Sequence, residues 1–554
     1  MTLKAGVGLG VGLAAVGAGL AVGLVGVSGI GQGFAAASGS ASLVKKEEVF
    51  SRALVFSVLP ETQAIYGLLT AILIMVFLGI LGGSASTTAG LAALGAGLAV
   101  GLAGSSAIGQ GVAAASGVRT YAENPETFGK SLVMSILPET QSIYGLLVAI
   151  MTVVAASSLK GANLGAAFAA IGAGLAVGIA GFSGIGQGIA AASGAGALVK
   201  DPASFSRSLI LSILPETRSI YGLLVAIMVM VLTGLFGGSF HGTVGVGLAA
   251  MGAGLAVGLA GLSGVGQGIT SAVGIENFVK DPGTFGRSLL FAVFPETQAI
   301  YGLLIAILIM MFCGILGGSP SMAMGLAAVG AGIAVGFAGT SGIGQGIAAA
   351  GGSKATFESP EAFGRSVVFS ILPETQSIYG LLAAILVLLP AIMGSKSLAA
   401  AAGLIGIGVG LAVGVAGVSG VGQGIAAAGG SGALIERAET FARSLILSIF
   451  PETRAIYGLL IAIMALASTG LLGGGAGPKA PAVAGLATIG AGAAVGLAGF
   501  SGVGQGVTSA RGAASTTKRE EIFSRALVFS VLPETQAIYG LLTAILVLFG
   551  LVMV

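Results

Sequence analysis

Apolar stretches of twenty or more residues alternate with short polar ones along the entire chain, and the alternation keeps a fixed beat. A stretch such as LAALGAGLAVGLAGSSAIGQGVAAA, residues 91–115, is long enough to cross the ~30 Å hydrocarbon core of a bilayer as a helix. Each polar segment, for example SGSASLVKKEE at residues 38–48, is followed by a second apolar stretch richer in Leu, Ile, Met and Phe. The pattern predicts an all-α membrane protein of fourteen transmembrane helices, arranged as seven tandem helical hairpins over residues 1–82, 83–160, 161–238, 239–318, 319–396, 397–475 and 476–554.

Two phrases mark every repeat. PETQ or PETR followed by Ile-Tyr-Gly places glutamates at Glu61, Glu139, Glu216, Glu296, Glu374, Glu452 and Glu534, while G[IV]GQG places glutamines at Gln32, Gln110, Gln187, Gln267, Gln345, Gln423 and Gln505. The step from Gln to Glu is 29 residues in all seven repeats, and only the links between repeats vary in length. A turn midway leaves both side chains about 14 residues from the apex, each ~20 Å from it at 1.5 Å per residue, and so at equal depth in the bilayer.

Composition agrees with lipid as the solvent. Of 554 residues, 55% are hydrophobic and 8% charged, where soluble domains carry roughly 25% charged residues. A net charge of +3 gives no reason to expect a nucleic-acid partner. The 100 glycines lack a G-X-Y period and proline is scarce at 15, which excludes a collagen-like chain. The single cysteine, Cys313, is expected as a small apolar helix residue. No cleavable signal pattern precedes the first apolar run, so Met1 is expected to open the first hairpin.

Charge gives an orientation. Seventeen of 23 Lys and Arg lie between a Gln and its Glu, whereas Lys4, Lys160, Lys396 and Lys479 lie at the N-terminus or in the links. By the positive-inside rule the Gln-to-Glu loops are expected in the cytoplasm, with the links and both termini outside a cell membrane crossed many times. Thirteen of the 20 acids fall in those same loops, and the other seven are the PET glutamates.

An ionisable side chain in hydrocarbon is costly and points to function. A buried carboxyl group favours its neutral form, which it reaches by taking a proton or by binding a cation together with other oxygens. The alternative is a structural glutamate paired with an arginine, but five of the seven have no adjacent basic residue. Gln32 offers an amide oxygen opposite Glu61, Thr62 and Gln63 follow directly, and Tyr66 lies five residues on. Such hard oxygen donors suit sodium; the alternative is that they join helices by hydrogen bonds. Ser28, Ser106, Ser183, Ser263, Ser341, Ser419 and Ser501, one turn before each Gln, read as small packing residues.

Glycines on several faces of each first helix, such as Gly95, Gly97, Gly101 and Gly104, predict close neighbours on several sides and so an inner circle of first helices. The second helices would form an outer circle against lipid. No G-x-x-x-x-G-K-[ST] phrase occurs, so the glycines are not phosphate loops. A basic residue stands nine before every glutamate, at Arg52, Lys130, Arg207, Arg287, Arg365, Arg443 and Arg525, as an interfacial anchor or a contact for a cytoplasmic partner. His241, in an outer link, reads as solvated or packed.

Taken together, the Gly-rich helix, GIGQG, the short basic loop and LPETQAIYG resemble the proteolipid rotor component, called c or K, of A-type and V-type rotary ATP synthases. The resemblance covers essentially the whole chain, seven times. It implies a non-catalytic, ion-translocating subunit whose ring turns in the membrane, coupling Na+ or H+ flow to ATP synthesis or hydrolysis in a separate soluble head. It also implies a stator subunit with an arginine, central-stalk subunits at the cytoplasmic loops, and further copies of the chain, two chains giving fourteen hairpins. From the family's sodium sites it implies as ligands Glu61, Thr62, Gln63, the carbonyl of Leu59, and Gln32, with Tyr66 holding the glutamate. The same positions recur at Thr140, Thr217, Thr297, Thr375, Thr453 and Thr535; at Gln141, Gln298, Gln376 and Gln536; at Tyr144, Tyr221, Tyr301, Tyr379, Tyr457 and Tyr539; and at the carbonyls of Leu137, Leu214, Phe294, Leu372, Phe450 and Leu532. Adjacent hairpins are allowed to share a site. Arg218 and Arg454 replace this glutamine in repeats 3 and 6, where a fixed cation either competes with sodium or turns away. A repeat-built pore or secondary transporter is the competing class, although parallel repeats with seven equivalent glutamates favour a wheel.

Overall fold

The computed structural model describes residues 8–44, 46–81, 84–159, 163–395, 398–473 and 482–552. Lys4, Lys45, Lys160, Lys396 and Lys479, five of the residues behind the expected orientation, lie outside them. All regular structure among the described residues is helical.

Thirteen long apolar helices run in order: α1 Leu9–Leu43, α2 Glu47–Phe77, α3 Thr87–Glu123, α4 Pro125–Ser158, α5 Leu164–Lys200, α6 Pro202–Leu232, α7 Val244–Lys280, α8 Pro282–Phe312, α9 Met322–Glu358, α10 Pro360–Ile392, α11 Ala400–Glu436, α12 Ala438–Ser468 and α13 Ala482–Lys518. The fourteenth, α14, is the pair Glu520–Val531 and Glu534–Gly550, bent by 42° at the PET phrase. Helix α3 has 37 residues and so runs to about 55 Å, well past the hydrocarbon thickness. The surplus is long enough to carry the charged loop clear of the lipid.

One residue in extended conformation turns each hairpin: Lys46, Asn124, Asp201, Asp281, Ser359, Arg437 and Arg519. Gln110, Asn124 and Glu139 are 14 and 15 residues apart, and the same steps recur in the other six hairpins. The apex therefore falls where the spacing predicts. Asn124, Asp201 and Asp281 cap the returning helix with their side chains, accepting from the amides of Glu126, Ala203 and Gly283, and proline follows as the first helical residue. At the far end, glycines with positive φ, Gly79 at +77° and Gly234 at +73°, terminate α2 and α6.

The odd-numbered helices pack side by side in one continuous row, each against the next. The even-numbered helices form a second row, touching the odd row closely and one another sparsely. Because the odd helices approach more closely than the even ones, the double row curves with the odd helices inside. Glycine permits this approach. A Cβ on Gly101 of α3 would stand 2.7 Å from the Leu20 carbonyl of α1, and one on Gly145 of α4 would stand 2.6 Å from the Ala99 carbonyl of α3. The outer row shows lipid-compatible side chains such as Val133, Ile136, Ile143 and Leu147. Cys313 is buried among apolar neighbours as expected, but it caps the end of α8 rather than lying within the helix.

The arc is open. Val16, Val22, Ile30 and Phe34 are exposed along α1, and Leu486, Leu497, Phe500 and Val507 along α13.

Candidate functional site

Proline in LPET lacks an N–H, so it interrupts the helical ladder one residue before the glutamate. In α4 the chain answers with a 3₁₀ turn over Leu137–Glu139. The following threonine turns back onto the carbonyl two residues before the glutamate: Thr62 Oγ1 donates to Leu59 O at 2.8 Å and Thr140 Oγ1 to Leu137 O at 3.0 Å. The same bond recurs at Thr217, Thr297, Thr375, Thr453 and Thr535. A wrinkle in the helix thus gathers a hydroxyl, a carbonyl and a carboxylate at one level.

Within a hairpin the spacing argument holds. Gln32 Nε2 donates to Glu61 Oε2 at 3.1 Å and Gln110 Nε2 to Glu139 Oε2 at 3.1 Å; Gln187, Gln267, Gln345 and Gln423 reach Glu216, Glu296, Glu374 and Glu452 at 3.1–3.2 Å. The remaining groups come from the hairpin before. Tyr66 OH donates to Glu139 Oε1 at 2.6 Å, and Gln63 Nε2 donates to Gln110 Oε1 at 2.9 Å. Tyr144, Tyr221, Tyr301, Tyr379 and Tyr457 reach Glu216, Glu296, Glu374, Glu452 and Glu534 in the same way, at 2.8–3.1 Å. Gln141, Gln298 and Gln376 meet Gln187, Gln345 and Gln423. Each interior site is therefore a junction: hairpin n supplies Tyr and, at four of the six, Gln, while hairpin n+1 supplies Glu and Gln; at the third junction Thr217 also donates to Glu296 at 3.0 Å.

The junction glutamines are buried, while the carboxylates range from buried to half-buried. Glu139 is 9% exposed and Gln63, Gln110 and Gln141 are fully buried. Glu61 differs. It stands exposed at the α1–α2 edge with Gln32 alone, while Leu532, Thr535, Gln536 and Tyr539 stand exposed at the opposite edge, Tyr539 at 66%.

Five of the serines before a Gln, Ser106, Ser183, Ser263, Ser341 and Ser501, do more than the packing expected of them; Ser28 and Ser419 are buried without a side-chain hydrogen bond. Ser106 Oγ donates to Gln63 Oε1 at 2.9 Å and lies 3.1 Å from Ser142 Oγ, which also contacts Gln63 Oε1. Ser142, Ser219 and Ser377 were not singled out by the sequence. Their signal was the residue three after the glutamate, serine in repeats 2, 3 and 5 and alanine in the others. They pair with Ser106, Ser183 and Ser341 across each hairpin.

The basic residues nine before each glutamate also act between hairpins. Arg52 stacks over the Phe128 ring at 4.2 Å, and Lys130, Arg207, Arg287 and Arg365 lie over Phe205, Phe285, Phe363 and Phe441. Each clasps the next hairpin at the loop end of the row.

The two arginine variants depart most. Arg218 is fully buried and does not turn away from the site. Its target is the carboxylate of the following hairpin, Glu296 at 2.7 Å, rather than Glu216 of its own repeat. Arg454 also reaches forward, its Nη1 meeting the amide oxygen of Gln505 in hairpin 7, without an ion pair to Glu534. The doubt raised for repeats 3 and 6 thus moves to the glutamates of repeats 4 and 7, because the residue after PET faces forward along the row.

Comparison with known proteins meets the same repeat. The sequence model of the family described as the C subunit of ATP synthase matches seven times, at residues 16–74, 85–152, 171–229, 251–309, 329–387, 407–465 and 489–547. An A-type ATP synthase subunit K from Methanocaldococcus jannaschii is 50% identical over 223 residues, 40% of this chain and 96% of the relative. A V-type sodium ATPase subunit K from Enterococcus hirae is 33% identical over 135 residues, 24% of this chain and 83% of the relative. The V-type proton ATPase 16 kDa proteolipid of Rattus norvegicus is 32% identical over 153 residues, 27% of this chain and 90% of the relative. Seven hairpins, a carboxylate between each pair of neighbours and seven family matches converge: the chain belongs to the family of the ATP synthase C subunit, as a multi-pass rotor proteolipid of the A/V-type rotary ATPases.

Proposed function

We propose that the junction carboxylates carry sodium, one ion at a time, and that their passage past a stator couples sodium flow to rotation. The observation that carries this reading is the donor set around Glu139. The carboxylate accepts from Tyr66 and Gln110, Gln63 donates to Gln110, and Thr62, bonded to the Leu59 carbonyl, lies on the same turn as Gln63 and Tyr66. A single negative charge surrounded by neutral oxygens balances a monovalent cation, and hard oxygens suit sodium. A site for protons alone needs little beyond the carboxyl group. The same rotor carrying protons is the second reading, and the named proton pump among the relatives keeps it in play.

Loading makes the carboxylate electrically neutral and able to travel through lipid; unloading needs a polar path and a competing cation, which a stator arginine would supply. The charged Gln-to-Glu loops would face the cytoplasm and meet the central stalk. Ring closure would come from a second copy. Glu61 and Gln32 at one edge are half of a junction, and Leu532, Thr535, Gln536 and Tyr539 at the other edge are the complementary half. Phe50, 56% exposed, would then receive Arg525 just as Phe128 receives Arg52. Two chains would give fourteen hairpins.

The test is ATP-driven uptake of radiolabelled sodium by the assembled enzyme in sealed vesicles. Sodium accumulation that persists with a protonophore is expected. Acidification without sodium uptake, abolished by the protonophore, would replace sodium by protons in this scheme.

A further inference from the structure

We infer that Glu296 and Glu534 carry no transported ion, because Arg218 and Arg454 already occupy the cation position beside them; this rests on the carrier reading above. At the junction of hairpins 3 and 4, one guanidinium nitrogen, Arg218 Nη1, meets Leu214 O at 3.3 Å, Thr217 Oγ1 at 3.1 Å, Glu296 Oε2 at 2.7 Å and the Gln267 amide oxygen. These are the counterparts of Leu59 O, Thr62 Oγ1, Glu139 and Gln110, the oxygens that stand ready for an ion at the first junction. The rest of the guanidinium is anchored too, Nη2 donating to Pro295 O at 2.6 Å and Nε to Ser263 Oγ at 3.3 Å.

Hairpins 6 and 7 repeat the arrangement around Nη1 but not the direct ion pair: Arg454 Nη2 is buried without a partner, and Glu534 accepts instead from Tyr457. Arg454 Nη1 meets Phe450 O at 3.3 Å, Thr453 Oγ1 at 3.4 Å and the Gln505 amide oxygen, and Nε meets Ser501 Oγ at 3.1 Å. Gln505 Nε2 is left without a partner, whereas its equivalents in the other hairpins donate to their carboxylate. Gln267, whose oxygen Arg218 meets, still donates to Glu296 at 3.2 Å.

Charge excludes a passenger as firmly as space does. An arginine beside a glutamate is neutral as a pair. Adding sodium leaves a net positive charge in hydrocarbon, and adding a proton to the carboxylate leaves the guanidinium unpaired there; both are costly. Of seven junction carboxylates per chain, two are thus permanently filled and five exchange ions.

Carbodiimide modification of the assembled enzyme at fixed pH, resolved glutamate by glutamate by peptide mass spectrometry with and without sodium chloride, tests this. Carbodiimide takes carboxyl groups that are free to become neutral. Glu61, Glu139, Glu216, Glu374 and Glu452 are expected to be modified, and Glu296 and Glu534 to stay unmodified whether or not sodium is present. Arg218→Gln and Arg454→Gln, which restore the residue that five hairpins already carry, should switch modification on at Glu296 and Glu534. Modification of all seven glutamates in the unaltered enzyme, with the same sodium response, would overturn the inference and leave the carrier reading intact. Five modified without sodium protection would keep the inference and change the ion to a proton. No modification at any glutamate would overturn both.

Discussion

The junction between hairpins 1 and 2 and that between hairpins 3 and 4 share one backbone and differ at one ligand. In the first, Gln63 meets Gln110 and is held by Ser106 and Ser142, leaving Glu139 within a network of neutral oxygens. In the second, Arg218 fills the middle of that network and binds Glu296 directly. The comparison teaches that a carboxylate's depth does not make it a carrier. What matters is whether the positive charge that neutralises it is able to leave.

The largest effect expected separates the two classes outright. A ring in which Glu61, Glu139, Glu216, Glu374 and Glu452 are all replaced by Gln should bind no sodium, although Glu296 and Glu534 remain. Residual sodium on the purified ring, counted per chain, would break the comparison.

Next comes stability. Glu296→Gln leaves a fully buried guanidinium without its counter-charge, which typically costs about 3–5 kcal/mol. The ring should dissociate at lower temperature or detergent concentration, and Arg218→Gln in the same chain should restore it. Glu139→Gln removes a carboxylate with no arginine beside it and should leave ring melting nearly unchanged. Equal melting of both single variants would undo the distinction.

A smaller effect reads the same difference through tyrosine. Tyr66→Phe removes the 2.6 Å bond to Glu139, worth about 1.5 kcal/mol for an acceptor that is charged, and should weaken sodium binding at that site roughly tenfold. Tyr221→Phe, whose hydroxyl reaches Glu296 at 3.1 Å, should leave sodium binding as it is. Smallest is the clasp: Arg52→Ala forfeits a cation–π contact with Phe128, about 0.5–1 kcal/mol at an exposed position. Hydrogen exchange should quicken in the loop of hairpin 2 without change in ion affinity.

Much of this architecture was legible in the residues. The constant Gln-to-Glu step foretold both the equal depth of Gln110 and Glu139 and the apex at Asn124, since a helix converts residue count into distance. Glycine on several faces foretold the tight inner row, because only backbone-to-backbone approach demands it. What was hidden is lateral. Tyr66 and Glu139 lie 73 residues apart, and nothing in one repeat says which neighbour its side chains address. For that reason the sequence leaves open which carboxylate Arg218 meets, and the basic residue nine before each glutamate, read as an interfacial anchor or a contact for a cytoplasmic partner, reaches in five hairpins the phenylalanine of the next. Ser106 read as packing because its partners, Gln63 and Ser142, come from a different hairpin and a different helix.

The spacing of the two arginines has a mechanical meaning. Their paired glutamates belong to hairpins 4 and 7; in a circuit closed by two chains, blanks would fall at hairpins 4, 7, 11 and 14, at intervals alternating between three and four. Thrust would then arrive in bursts of two or three strokes separated by a silent one, evenly spread around the turn. Such a rotor would spend fewer ions on each revolution than its hairpin count suggests, its gear ratio set by two residues without a change of diameter.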